Sequence, residues 1–254
     1  MLDAYRTALS RDAAYYDANE NITAGYVMNK IQFNKTMLLF GARVENTHVD
    51  YKAFRIFSYD KDANPNVNGG QKPGTTTPVF NTYTATPADS SLNYVMVLPN
   101  LQFKFDLAKN TILRTAYTTG YSRPNYVDLM PTLNINTDLL KIEKGNPELK
   151  AAYSNNMDVL FEQYMKNVGL LSGGVFYKHI NKFQYLSEGP ITDASNPYYS
   201  SGATEQYVMR QPRNGKAANV YGVELTYNST LTFMPGVLKN LIFTGNYTTP
   251  ILML

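Results

Sequence analysis

His48 and His179 are the only histidines of the chain, and the absence of cysteine excludes a thiolate metal site or nucleophile, so imidazole and carboxylate are the first groups to weigh for metal or general-base chemistry. The two histidines fall on different predicted strands, and neither is accompanied by a set of partners at metal-ligand spacing. Both read as polar residues facing water. The run Asp60-x-Asp62-x-Asn64 opens like a calcium loop, but that loop requires Gly at its sixth position and Glu at its twelfth. Here those positions hold Pro65 and Gln71, so a solvated loop is the better reading. Asp158 and Glu162 share one strand face, as ordinary hydrophilic groups of that face would. No Gly-x-Ser-x-Gly, His-Glu-x-x-His or phosphate-cradling glycine loop occurs. The residue types therefore predict no catalysis, no metal and no cofactor.

What remains is recognition chemistry. Asn125-Tyr126 and Tyr198-Tyr199 are loop groupings in which aromatic rings can stack and amides or hydroxyls can bond a polar ligand. Loop aromatics also serve simply to pack loops together, and both readings stay open. Arg114, Glu162, Lys178 and Glu224 fall mid-strand, on faces that also carry Thr and Asn, and are expected to line a polar interior. Net charge is +3, from 23 basic and 20 acidic residues, too balanced to argue for nucleic acid.

The elements that must position these groups are strands. Tyr reaches 21 residues while Trp is absent, a bias that suits strands and membrane-interface belts alike. Strand patterning starts near Ile22, after a tail with no clear alternation. It continues through Met37–Phe54, Leu92–Leu107, Thr111–Ser122, Asn155–Met165, Gly169–Leu186, Ala218–Phe233 and Leu238–Thr249. Short turns sit at Asn34-Lys35, Ala108–Asn110, Lys166-Asn167 and Pro235-Gly236. Long polar loops run over Ser58–Ser91, Arg123–Ser154 and Ser187–Ala217. Along Tyr221–Phe233 the odd positions carry Val223, Leu225, Leu231 and Phe233, and the even ones Glu224 and threonines, the period of a strand with unlike faces. About eight antiparallel strands with strictly alternating short and long connections predict an all-β transmembrane barrel segment, with short turns on one side and long loops on the other. No apolar run approaches the ~18 residues of a membrane helix, and Met1–Arg6 has no signal-peptide pattern, so the chain is expected to be an internal piece of a longer one. Thr249-Pro250 is expected to interrupt the last strand.

A resemblance accompanies this pattern. Arg123-Pro124, Tyr126-x-Asp128-Leu129-x-Pro131 and Gly145-Asn146-Pro147-x-Leu149 resemble the barrel of TonB-dependent outer-membrane receptors. So do Leu98–Leu101, Leu113-Arg114-x-Ala116-Tyr117, Gly174–Lys178, Gly41-x-Arg43-x-Glu45 and Gly222–Leu225, in the same order along positions 20–249. The chain departs from the family at Ala151-Ala152, where a Pro and an acidic residue are usual. The resemblance implies a partial barrel domain over 1–254 without its plug, in contact with outer-membrane lipid. It implies import of a scarce small-molecule or oligosaccharide ligand, such as a siderophore or cobalamin, with a plug in cis and a TonB-type energy-transducing partner. Arg114, Glu162, Lys178 and Glu224 would then face the lumen and the plug, and Asn125, Tyr126, Tyr198 and Tyr199 the ligand. A plugless porin or adhesin, and a secreted carbohydrate-binding β-sandwich, are the other readings.

Overall fold

The computed structural model describes residues 11–59, 82–136, 139–165, 169–199 and 206–253, less 13 and 197. Its wall is made of eight long strands: β1 (Tyr16–Phe33), β2 (Thr36–Tyr59), β3 (Thr82–Ala108), β4 (Thr111–Ser122), β7 (Ala152–Met165), β8 (Gly169–Asn181), β11 (Ala217–Thr230) and β12 (Ile242–Met253). Each pairs antiparallel with the next, and the sheet does not close on itself. Four short strands belong to the loops: β5 (Leu133–Asn136), β6 (Lys141–Lys144), β9 (Gln184–Pro190) and β10 (Val208–Asn214). The expected eight strands are thus the wall, and the loops hold strands that composition concealed. One continuous sheet, rather than two packed ones, rules out the sandwich.

Several boundaries differ from the sequence reading. Residues 16–21 are strand rather than loop tail, because they pair with β2 up to Tyr16↔Ala53. The stretches 58–59 and 82–91, expected as loop, are strand in a ribbon that runs to Tyr59↔Thr82. Gly169–Leu186 is not one strand, since it breaks at Lys182, whose φ of 55° leaves the extended region. Pro250 does not interrupt β12, which pairs with β11 through to Met253. Pro250 lies on an edge strand, where its missing N–H costs no ladder bond. The calcium-like run, Gln71 and the Lys166-Asn167 turn lie outside the described residues.

Cross-strand partners share a face, so the register lists each face directly. One row crosses the whole wall as Ile31, Leu38, Phe103, Thr115, Val159, Val175, Val223 and Thr249. Its neighbours carry Phe40, Leu101, Tyr117, Met157, Tyr177, Tyr221 and Ile251 on one side, and Phe33, Phe105, Leu113, Phe161, Leu225 and Tyr247 on the other. This face is apolar and uncovered, with Val175 54% and Leu225 49% exposed. It turns polar at Asn219 and His179 on β11 and β8. On β2 it does so only at Asn46, four positions beyond Ala42, which is level with that row. A drift of about one residue per strand is the stagger of strands tilted within a barrel wall.

The buried apolar residues lie not along the middle of the wall but at its upper end. There β4 stops pairing with β3 beyond Asn100↔Thr118, and two hydroxyls meet carbonyls that lose their ladder partners. Thr119 Oγ1 donates to the Pro99 carbonyl at 2.9 Å, and Tyr153 Oη to that of Val97 at 3.1 Å. β5 takes over the edge of β2 that β1 leaves, in parallel, and β6, β10 and β9 follow in order. Because β9 continues β8 and β10 runs into β11, the short strands lead from β2 back to the far part of the wall.

Candidate functional site

The mouth of the wall is organised by the loop between β4 and β7. Pro124 ends β4 and is buried, and one helical turn follows at Tyr126–Leu129. Leu129, Met130 and Leu149 from this loop pack on Val49, Tyr51 and Ala53 of β2, so the loop folds onto one face of the ribbon. A polar clasp holds its first turn. Arg123 Nη2 donates to Tyr121 Oη at 2.6 Å, and Tyr121 Oη donates to Glu45 Oε1 at 3.0 Å. Glu45 also lies 3.3 Å from Arg43 and 3.5 Å from Arg123. A carboxylate this buried needs such partners to remain charged. Tyr126 Oη donates to Glu20 Oε2 at 2.8 Å, a bond to a carboxylate that raises the tyrosine's pKa, with burial adding to it. Two buried hydroxyls of β2, Thr47 Oγ1 and Tyr51 Oη, have no hydrogen-bond partner among the described residues. Each such group weakens the seat by about 1–3 kcal/mol if it stays dry.

The Gly145-Asn146-Pro147 corner fixes the second half of the loop. Gly145 N–H donates to Thr132 O at 3.0 Å and Asn146 N–H to Asp128 O at 2.7 Å, while the Asn146 amide donates to Pro212 O at 3.0 Å. Asn214, at the end of β10, joins three segments. Its Oδ1 accepts from Lys150 N–H at 2.8 Å, and its Nδ2 donates to the carbonyls of Lys150 at 2.9 Å and Lys182 at 2.8 Å. No aliphatic side chain can replace these bonds. Asn214→Leu is expected to loosen the mouth by about 1–3 kcal/mol without unfolding the wall. Limited trypsin digestion reads this directly, as earlier cleavage after Lys150 and Lys182. Unchanged cleavage means that the amide is not the tie described.

The eight residues singled out from the sequence fall into two groups. Arg114, Glu162, Lys178 and Glu224 occupy one face of β4, β7, β8 and β11, opposite the apolar one. Arg114 Nε donates to Glu162 Oε1 at 3.1 Å across that face. Asn125 and Tyr126 are exposed at the first turn of the loop, where Asn125 Nδ2 donates to Asp128 at 3.2 Å. Tyr198 and Tyr199 pack against a separate cluster of Ile135, Ile142, Ile191 and Tyr207, and burial raises the Tyr198 pKa. The four are not brought together. His48 sits 3.3 Å from Asp50 and His179 between Asn219 and Asn181, with no metal-ligand cluster among the described residues. Glu20, Glu45, Asn146 and Asn214 were not expected as site residues. For Glu45, Arg123 and Asn146 the signal lay in the motifs themselves; for Asn214 the sequence holds none.

The profile of the family described as TonB dependent receptor-like, beta-barrel, matches residues 2–250. The chain belongs to this family. No curated protein matches it. Among solved structures it is similar to the ferric enterobactin receptor of Pseudomonas aeruginosa, at 16% identity and a TM-score of 0.52 over 93% of this chain and 36% of that one. It is similar to the hemophore receptor HasR of Serratia marcescens, at 12% identity and a TM-score of 0.52 over 92% of this chain and 41% of that one. It is also similar to the copper transporter OprC, at 14% identity and a TM-score of 0.55 over 85% of this chain and 27% of that one. Identities this low show the fold alone, and the chain spans well under half the length of each. Members of the family are outer-membrane β-barrels. In a TonB-dependent receptor barrel the apolar face is the one that meets lipid. Tyr117, Tyr177 and Tyr221 share one row of that face, the residue type that suits a membrane interface, with the Tyr117 and Tyr177 hydroxyls bonding Asn155 and Asn219 at 2.8 Å, one row nearer the mouth.

Proposed function

We propose that residues 1–254 form part of the barrel domain of an outer-membrane receptor that imports a scarce ligand too large for an open pore, of siderophore, cobalamin or oligosaccharide type. The observation that carries this reading is the inward-folded mouth. Two loops are built into short strands, packed into two buried clusters and tied to each other through Asn146 and Asn214. An open diffusion pore has no need of such a roof, whereas a receptor must present an ordered surface to a rare ligand. Asn125 and Tyr126 stand exposed on that surface, while Tyr198 and Tyr199 shape it from within. A plug in cis would pack against the polar face of Arg114, Glu162, Lys178 and Glu224, and a TonB-type protein would supply the energy to move it.

Uptake by cells carrying the intact protein tests the proposal. Radiolabelled ferric enterobactin, heme and copper, the ligand classes named for the similar structures, form the first panel, followed by cobalamin and an oligosaccharide series. At least one is expected to accumulate, and to stop doing so when the TonB-type protein is deleted. Equilibration of small sugars that continues without energy would assign the chain to a plugless pore instead.

A further inference from the structure

Where β10 leads into β11 the chain reads Asn214-Gly215, the dipeptide in which the backbone most readily attacks an asparagine side chain. Gly215 lacks a β-carbon, so its nitrogen can swing back over the Asn214 amide and close a five-membered ring. Both members of the pair are dictated by packing. Asn214 supplies the three bonds to Lys150 and Lys182 that tie the mouth. Gly215 leaves the space that the Phe183 ring fills, since a β-carbon there would run into that ring. The fold therefore places a labile pair at the point where three segments meet. Arg213 and Lys216 flank it, and positive charge eases loss of the Gly215 N–H proton.

The structure holds this pair closed. Asn214 is the last residue of β10, paired with Gln184, and an extended backbone keeps the Gly215 nitrogen away from the side-chain carbonyl. The proton of that nitrogen is engaged as well, donated to Phe183 O at 2.7 Å. The Asn214 amide is clamped at both ends, its oxygen by Lys150 N–H and its nitrogen by two carbonyls. Asn214 and Gly215 are half-buried rather than sealed, so water reaches them once the clamp lifts. A second tie, from the Asn146 amide to Pro212 O, keeps the loop between β4 and β7 against β10.

We propose that Asn214-Gly215 is a site of spontaneous deamidation, suppressed while the mouth is closed and released when it opens. On opening, the deprotonated Gly215 nitrogen attacks Asn214 Cγ and the new C–N bond closes a succinimide. The side-chain nitrogen leaves as ammonia, with the proton that Gly215 gave up. Water then opens the ring to aspartate or isoaspartate, and no oxidant or cofactor enters. Neither product restores the tie, because a carboxylate offers no N–H to the carbonyls of Lys150 and Lys182 and repels them. Isoaspartate also lengthens the backbone between β10 and β11, displacing the bond from Lys182 N–H to Lys216 O. An opening that is reversible with asparagine in place thereby becomes permanent. The site belongs to the mouth itself, whatever ligand crosses it.

The test ages the intact protein at mildly alkaline pH and follows the amide-to-acid mass change in the glutamate-specific fragment 206–224. Labelling by isoaspartyl methyltransferase is the second readout. Conversion at Asn214 is expected to be slow in the folded protein and, after full unfolding, to match that at Asn68-Gly69, the other such pair. Asn146→Ala removes one tie while leaving every atom of the pair in place, and should speed conversion roughly tenfold. Should that variant misfold, denaturant too dilute to unfold the wall reads the same opening, as conversion that rises while the wall amides stay protected from exchange. Asn214→Asp, which is one of the two products, should bring earlier trypsin cleavage after Lys150 and Lys182. Conversion in the folded protein as fast as in the unfolded one overturns the clamp. Equal rates with and without the Asn146 tie overturn the coupling to the mouth, as does unaltered cleavage of the Asn214→Asp protein. Conversion at Asn214 that lags Asn68-Gly69 even after unfolding overturns the chemistry.

Discussion

Leu225→Arg in the intact barrel is expected to lower stability by roughly 2–4 kcal/mol, whereas Thr226→Arg, one residue away, should cost far less. Leu225 lies between Tyr221 and Tyr227 on β11, is half exposed on the apolar face, and packs beside Gly173 of β8. An arginine there would place its charge near the middle of the hydrocarbon. Thr226 faces the other way, between Ser172 and Asn246, on the side where the Arg114–Glu162 pair already holds charge. A guanidinium entering that polar face finds water or a carboxylate. Reversible folding into lipid vesicles with denaturant titration compares the two variants. Equal penalties, or a larger one at Thr226, would reverse the face assignment of the entire wall, since the rows tie every strand to β11.

Gly145→Ala is expected to release the loop between β4 and β7 at a cost of about 3 kcal/mol. A β-carbon on Gly145 would run into the carbonyl oxygen of Met130, which is backbone and has no rotamer to yield. The segment 129–132 would have to shift, removing Gly145 N–H from Thr132 O, Asn146 N–H from Asp128 O and Met130 from its cluster. Gly189 of β9, with nothing within 4 Å of a β-carbon, should accept alanine freely. Hydrogen exchange separates the outcomes, as faster exchange at Asn146 and Leu149 with the wall amides unchanged. Slow exchange at Asn146 in the alanine variant would mean that the corner tolerates the methyl group.

The wall was legible in the sequence because a sheet with lipid on one side and polar surroundings on the other imposes a period of two, and Tyr221–Phe233 wears that period openly. The mouth was not, for two physical reasons. β5 and β6 are four residues each, Leu-Asn-Ile-Asn and Lys-Ile-Glu-Lys, too short for a period to declare itself against loop composition. The upper ribbon of β2 and β3 sits above the apolar band, so its outer face carries Asp50, Lys52, Asp89 and Ser91, and its outermost part, 58–59 with 82–91, reads as loop. The site followed the same division. Arg114, Glu162, Lys178 and Glu224 could be placed on one face by parity alone. The partnership of Glu45 with Arg123, 78 positions apart, and the reach of Asn214 to Lys150 depend on how loops fold, which no local pattern encodes.

The parting of β3 from β4 above Asn100↔Thr118 also governs how this wall can assemble. The Pro99 and Val97 carbonyls accept from Thr119 and Tyr153, so odd-numbered residues of β3 turn their backbone groups toward the β4 side. Pro99 and Pro87 both stand in that set, each lacking the N–H that a neighbouring strand would need there. Pro99 therefore acts as a zip stop, ending the β3–β4 ladder at a fixed height however strongly the strands attract. Pro87 blunts the far end of the same edge. A nascent chain approaching β3 from outside finds a short run of donors bounded at both ends, too brief to template a stacked ribbon of copies. Two imino acids thus set the depth of the seam and bound the open edge above it.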